Sequence, residues 1–314
     1  MPGYLILHRA GELRRRAERA LERLASCDLC PRLCRVDRTA GELGACKAGR
    51  AAPVSSYNPH FGEESPLVGE GGSGTIFFAG CNLHCVFCQN YEISHATDDA
   101  AEASPEQLAG IMLRLQEEGC HNINCVTPSH VAAQILEALP VAADMGLRLP
   151  LVWNSSGYDA LDTLRLLDGV VDIYMPDVKF YHAEASRRFA KAPDYPERAR
   201  EAVLEMHRQA GDLKIEDGVA VSGLLVRHLV MPEGAAGTRE WMEFLAREVS
   251  VDTYVNVMDQ YRPCGRAAEF PELSRMITLE EHQEALQAAQ DAGLTRLDDR
   301  SSRVPHLLRA LLGR

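Results

Sequence analysis

From Thr75 to Met258 six short apolar runs alternate with amphipathic stretches, and this rhythm is what most limits the fold. The runs are Thr75–Phe78, His121–Thr127, Leu149–Trp153, Val171–Met175, Leu224–Val230 and Thr253–Met258, each about as long as a strand. Helical patterns lie between them. Ser104-Pro105-Glu106-Gln107 opens one with an N-cap, a first-turn proline and a capping-box glutamine. Others are expected over 129–145, from Tyr158, over 183–210 and around Trp241, Phe244 and Leu245. Thr278-x-x-Glu281 opens a last helix that stops near Gly293. Strands joined by helices run parallel, because a crossover returns the chain to the same end of the sheet. The fold class is therefore α/β. Six units are too few to close an eight-stranded barrel, which leaves an open six-unit barrel or a doubly wound sheet. In both, chemistry sits at the C-terminal ends of the strands.

Upstream, Leu13, Ala17, Leu21 and Leu24 recur at helical spacing, which predicts a helix over 10–25. A turn-rich segment with cysteines runs from Cys27 to Gly49, and 50–73 reads as irregular. The expected organisation is an N-terminal helix and cysteine-rich metal-binding segment over 1–73, then a catalytic α/β domain over 74–314. Gly69-x-Gly71-x-x-Gly74 matches a dinucleotide fingerprint, but it precedes a strand and opens no helix, so it reads as a turn.

Acidic residues outnumber basic ones 45 to 33, for a net charge of -12, which disfavours a nucleic-acid partner. The run Arg14-Arg15-Arg16 falls on the solvated face of a helix pattern. No run of apolar residues is long enough for a membrane span, and Met1–Leu7 lacks the features of a signal peptide. A cytoplasmic location with no membrane partner is expected. In that reducing compartment the ten cysteines are not a disulfide framework, and their clustering points to metal ligation.

Directly after the first strand stands Gly80-Cys81-Asn82-Leu83-His84-Cys85-Val86-Phe87-Cys88. Three thiolates spaced by three and two residues can wrap one loop around an iron–sulfur cubane and leave one iron without a protein ligand. That open iron can chelate the amino and carboxylate groups of S-adenosylmethionine, whose reductive cleavage yields a 5′-deoxyadenosyl radical. A zinc site completed by His84 or His95, or plain structural cysteines, are the competing readings, and spacing and position disfavour both.

With Phe87 before its last cysteine, this loop resembles that of the radical S-adenosylmethionine superfamily. The wider run over 74–90, Gly-Thr-Ile-Phe-Phe-Ala-Gly-Cys-Asn-Leu-His-Cys-Val-Phe-Cys-Gln-Asn, is similar to the group related to pyruvate formate-lyase activating enzyme, in a branch with extra N-terminal cysteines. The likeness extends from Cys27 to about Pro263. It implies a partial (β/α)6 TIM-like barrel, a [4Fe-4S] cluster on Cys81, Cys85 and Cys88, and S-adenosyl-L-methionine as cofactor. It further implies that Phe87 packs near the adenine and that Asn154 and Ser155 form a polar turn after the third strand. Asp177 and Lys179 match an Asp-x-Lys motif after the fourth strand, where Lys179 suits the methionyl carboxylate or the ribose. Asp177 would orient it or help hold a monovalent cation. Arg227 ends the fifth strand near the cofactor. One departure stands out. Related enzymes carry Gly-Gly-Glu after the second strand to grip the methionyl amine, whereas this chain reads Asn124-Cys125-Val126-Thr127-Pro128-Ser129-His130. Thr127, Ser129 or backbone carbonyls are the candidate replacements.

Asn256, Met258 and Gln260 share one face of the sixth strand, and Tyr261 either lines the radical's exit or packs at the barrel end. Cys27, Cys30, Cys34 and Cys46 make a second thiol set, with spacing nearer to cluster-binding runs than to zinc ribbons. A glycine-rich zinc knuckle is the alternative there. Cys120, Cys125 and Cys264 have no partner at ligand spacing. His60 with Gly62-Glu63-Glu64 falls at the active-site mouth or in a surface loop. The leading functional reading is a radical enzyme acting on a protein or peptide, such as a glycyl-radical enzyme, and reduced by a donor such as flavodoxin or ferredoxin. A small-molecule substrate, a two-cluster electron-transfer protein and a zinc-stabilised binding module are the competing readings.

Overall fold

The computed structural model describes residues 1–95 and 100–301. Among them nine strands form one mixed sheet. They are β1 (Ala52–His60), β2 (Ser73–Phe78), β3 (Ala101–Ala103), β4 (Ile123–Val126), β5 (Leu151–Ser155), β6 (Ile173–Val178), β7 (Lys214–Glu216), β8 (Val219–Leu229) and β9 (Tyr254–Met258). The six expected strands are β2, β4, β5, β6, β8 and β9, and each pairs in parallel with the next. Their spatial order follows the chain without reversal. A doubly wound sheet reverses its order at a switch point. The progressive order is that of a partial barrel instead.

Burial follows from this layout. Every residue of β5 and β9 is buried, because helices cover one face and side chains fill the other. Tyr174 faces outward, with its hydroxyl donating to Gln209 on the helix Tyr195–Ala210. Its neighbours Ile173 and Met175 therefore face inward. They join Leu67, Val152, Leu225 and Tyr254 in an apolar plug on the inner side of the sheet. The open space lies beyond this plug, at the C-terminal strand ends.

The region 50–73, expected to be irregular, contains β1. This strand pairs antiparallel with β2 over most of its length and with β3 only from Ala52 to Val54. Beyond Val54 its outer edge has no strand partner among the described residues, which is why Pro59 is tolerated there. The single helical region expected over 183–210 is two helices, Ala183–Ala190 and Tyr195–Ala210. The break falls at Lys191, which adopts a left-handed conformation with φ of 52°. The N-terminal helices Gly3–Arg9 and Glu12–Glu22 pack on the barrel's outside: Gly3 donates its amide to Asp172 at 2.9 Å, and Tyr4 donates to the Leu149 carbonyl at 3.1 Å.

Both expected capping boxes form, at Ser104 with Gln107 and at Thr278 with Glu281. Ser104→Ala removes the acceptor for the Gln107 amide and should lower stability by about 1 kcal/mol. Urea unfolding measures this, and an unchanged midpoint would show that the box contributes nothing to the fold.

Candidate active site

The chain leaves β2 through Gly80, whose φ of 79° makes the turn into the cysteine loop. That loop is fastened from several sides. The Asn82 amide group donates to the Tyr158 carbonyl at 2.6 Å, Val86 donates to Phe189 at 2.8 Å, and Arg266 donates its amide to Val86 at 2.7 Å. Cys81, Cys85 and Cys88 all face one cavity of about 410 Å³. The Leu83 amide points at the Cys81 sulfur at 3.3 Å, and the Ser94 hydroxyl at the Cys88 sulfur at 3.2 Å. Burial pushes the Cys81 and Cys85 thiols up to about 12.

Among the described residues no three His, Cys, Asp or Glu side chains are arranged to hold a single metal ion. The triplet nevertheless fits a cubane, which needs thiolates at separate corners around an open volume. Free thiols on one wall of a large cavity, with donors aimed at their sulfurs, meet that need.

Opposite the thiols the strand ends deliver charge. Asp177 on β6 lies in register with Arg227 on β8. The Arg227 Nε donates to Asp177 at 2.6 Å, one terminal nitrogen to Asn154 at 2.7 Å, and the other to Glu63 at 3.2 Å. Glu64 stands 3.8 Å away. Lys179 donates to the other Asp177 oxygen at 2.7 Å. All of these except Glu64 line the cavity. Burial opposes ionisation of Asp177, but Arg227 and Lys179 outweigh it and hold the carboxyl below its usual range. Burial likewise opposes Glu63, and the His60 hydrogen bond and Arg227 overcome it. At Glu64 burial dominates and raises the pKa, and one carboxyl oxygen has no hydrogen-bond partner. Two carboxylates and two cations thus face the same space.

The structure brings Phe87, Asn154, Ser155, Asp177, Lys179 and Arg227 to the cavity with the triplet. Phe87 packs edge-on against Phe180. The Ser155 hydroxyl is already committed to Asp159 at 2.6 Å, whereas the buried Ser156 hydroxyl has no partner and lines the cavity. Thr127 lines it as well, with a left-handed φ of 58°, while Ser129 does not. Met258 and Gln260 reach the wall, and Asn256 instead donates to Glu64 at 2.9 Å. Tyr261 takes the packing role: it is fully buried, and its hydroxyl donates to the Leu273 carbonyl at 2.7 Å. His60 and Glu63 belong to the site and not to a surface loop. The sequence signal for them was the pair of acids shortly after an extended run, which carries meaning only once β1 is seen beside β2. Cys125 is fully buried in β4, Cys120 is buried, and Cys264 is half-buried. The segment Gly69–Gly72 is a turn, with φ of 46° and 82° at its two ends.

This is the constellation of an enzyme that holds a cluster and an adenosyl cofactor at the mouth of a partial barrel. The chain belongs to the radical SAM superfamily, whose family model matches residues 75–245. The uncharacterized protein MJ0674 of Methanocaldococcus jannaschii is 32% identical over 281 residues, covering 87% of this chain and 77% of that protein. A solved structure of TYW1 with a lysine-pyruvate adduct bound is similar with a TM-score of 0.43 at 11% identity, over 69% of this chain and 73% of that one. Membership implies a [4Fe-4S] cluster, S-adenosylmethionine and its reductive cleavage. No helix among the described residues is long and apolar enough to cross a membrane.

Arg227→Met strands buried carboxylates and should destabilise the protein by about 3–5 kcal/mol. The sign with pH follows from Asp177 and Glu63. Their lowered pKa values add stability above the ordinary carboxylate range, and that stability is lost as pH falls through the folded values. Without Arg227 those values rise, so acid unfolding should begin at higher pH. Denaturant midpoints collected across the acid range test this, and an unshifted acid limb would refute it.

Proposed function

We propose that the chain abstracts a hydrogen atom from a protein or peptide, in the manner of a glycyl-radical activating enzyme. The reading places it in the cytoplasm, with a reducing carrier such as flavodoxin or ferredoxin as electron donor and neither nucleic acid nor membrane as partner. The observation that carries the chemistry is that Cys81, Cys85 and Cys88 share one cavity with Asp177, Lys179 and Arg227. The likeness of residues 74–90 to activating enzymes supports the substrate class.

When bound, the cluster and S-adenosylmethionine supply the electron and the carbon–sulfur bond whose breakage generates the radical. The chain's own residues bind and shield. A zwitterionic methionyl group needs both an anion and a cation, and the cavity offers both. Lys179 suits the methionyl carboxylate, and Asp177 holds it in place at 2.7 Å. Glu63 supplies the carboxylate that the missing Gly-Gly-Glu would otherwise give, as acceptor for the methionyl amine. Asn154 and Ser156 offer polar contacts to the ribose, and Phe87 an apolar face to the adenine. The apolar plug beneath the site closes the interior below the reacting atoms.

The reconstituted, reduced protein should form 5′-deoxyadenosine, and Cys81→Ala should form none; an inactive wild type sinks the enzymatic reading. Glu63→Gln should raise the Kd for S-adenosylmethionine about tenfold, the loss of one charge-assisted hydrogen bond. Equilibrium dialysis measures it, and an unchanged Kd removes Glu63 from the amine's site. For the substrate, a deuterated cell extract is split into macromolecular and small-molecule pools. Deuterium should enter 5′-deoxyadenosine from the macromolecular pool, and transfer only from the small-molecule pool would overturn that part.

A further inference from the structure

Four cysteines take no part in the site described above. Cys27, Cys30, Cys34 and Cys46 line a second, small cavity of about 10 Å³, together with Arg38 and His130. All four are free thiols. The loop is shaped to bring them together: Leu33, Arg35 and Lys47 adopt left-handed conformations, and a side chain at Gly44 would meet the Cys34 sulfur at 2.9 Å.

Arg38 is the decisive neighbour. It is 1% exposed. Its guanidinium donates to the carbonyls of Gly49 and His130 and lies 3.8 Å from the Cys27 sulfur. Among the described residues it pairs with no carboxylate. A buried cation without an anion is strongly unfavourable. Thiols do not supply that anion, whereas thiolates bound to metal do, because the assembled site keeps a net negative charge.

The spacing of the sulfurs argues against a single zinc ion. Zinc draws its sulfurs to about 2.3 Å from a common centre, barely more than the radius of sulfur, and leaves no void between them. Here the four cysteines surround a void, so their sulfurs stand farther apart than one zinc ion would hold them. As at the catalytic triplet, no three of them converge on a single-ion geometry.

We propose that Cys27, Cys30, Cys34 and Cys46 hold a second [4Fe-4S] cluster, with every iron bound by a protein thiolate and none open to S-adenosylmethionine. Assembly takes two ferrous ions, two ferric ions and four sulfides from the medium and releases one proton from each thiol, so that the core forms with no further oxidant. The site is separate from the reading given under Proposed function and can be tested without turnover. A Cys81→Ala, Cys85→Ala, Cys88→Ala triple variant removes the catalytic ligands. Reconstituted anaerobically with equal ferrous and ferric iron and with sulfide, it should retain about four iron and four acid-labile sulfide per chain. Adding Cys46→Ala should take both below about one. One zinc per chain without labile sulfide overturns the proposal, and so does a triple variant that is folded by circular dichroism and free of metal. If the triple variant does not fold, the wild type decides: about eight iron per chain supports the second cluster, and about four overturns it.

Discussion

The guanidinium of Arg227 is the contact on which the rest of the site depends. It reaches β5 through Asn154, β6 through Asp177 and the segment after β1 through Glu63, so one side chain closes four separate stretches of chain around the cavity. A planar cation with a fixed fork of donors does this better than lysine, which presents a single point of charge. Burial makes the arrangement demanding: each carboxylate is tolerable only because Arg227 is there, and Arg227 only because of them. The same balance leaves the cavity with charges of both signs.

The cysteine-rich segment is tied mechanically to the loop that carries Cys81, Cys85 and Cys88. Arg32, between Cys30 and Cys34, donates to the Asn82 carbonyl at 2.7 Å and to the carbonyls of Ala190 and Lys191. On the far side His130 lines the small cavity and stands 2.9 Å from the carbonyl of Ala79, two residues before Cys81. Ordering the first thiol set therefore fixes the backbone on both sides of Cys81, and whatever holds one set of sulfurs steadies the other.

Much of this was legible in the sequence. The six parallel strands, both capping boxes and the triplet follow from period, cap chemistry and cysteine spacing, all of which are local signals. What was not legible depended on pairing. β1 carries two prolines and lacks clean alternation, and it becomes a strand only because β2 lies beside it. Glu63 and Glu64 were ambiguous for the same reason, since their role is set by Arg227 more than 160 residues away. The choice between an open barrel and a doubly wound sheet is likewise a matter of strand order, which no local pattern encodes. Ser156, one residue beyond the position singled out, shows how a turn's exact geometry decides which of two adjacent hydroxyls is free.

Thr127 holds a left-handed backbone at the cavity wall. A β-branched residue is poorly suited to that shape, and such strain typically amounts to about 1–3 kcal/mol. Glycine would relieve it. Selection for a more stable fold and selection for a hydroxyl and methyl at this wall therefore pull in opposite directions at one position. Over evolutionary time this codon becomes a gauge: glycine in a descendant would mark a lineage that had given up the side chain's contact, and retained threonine one that still relies on it.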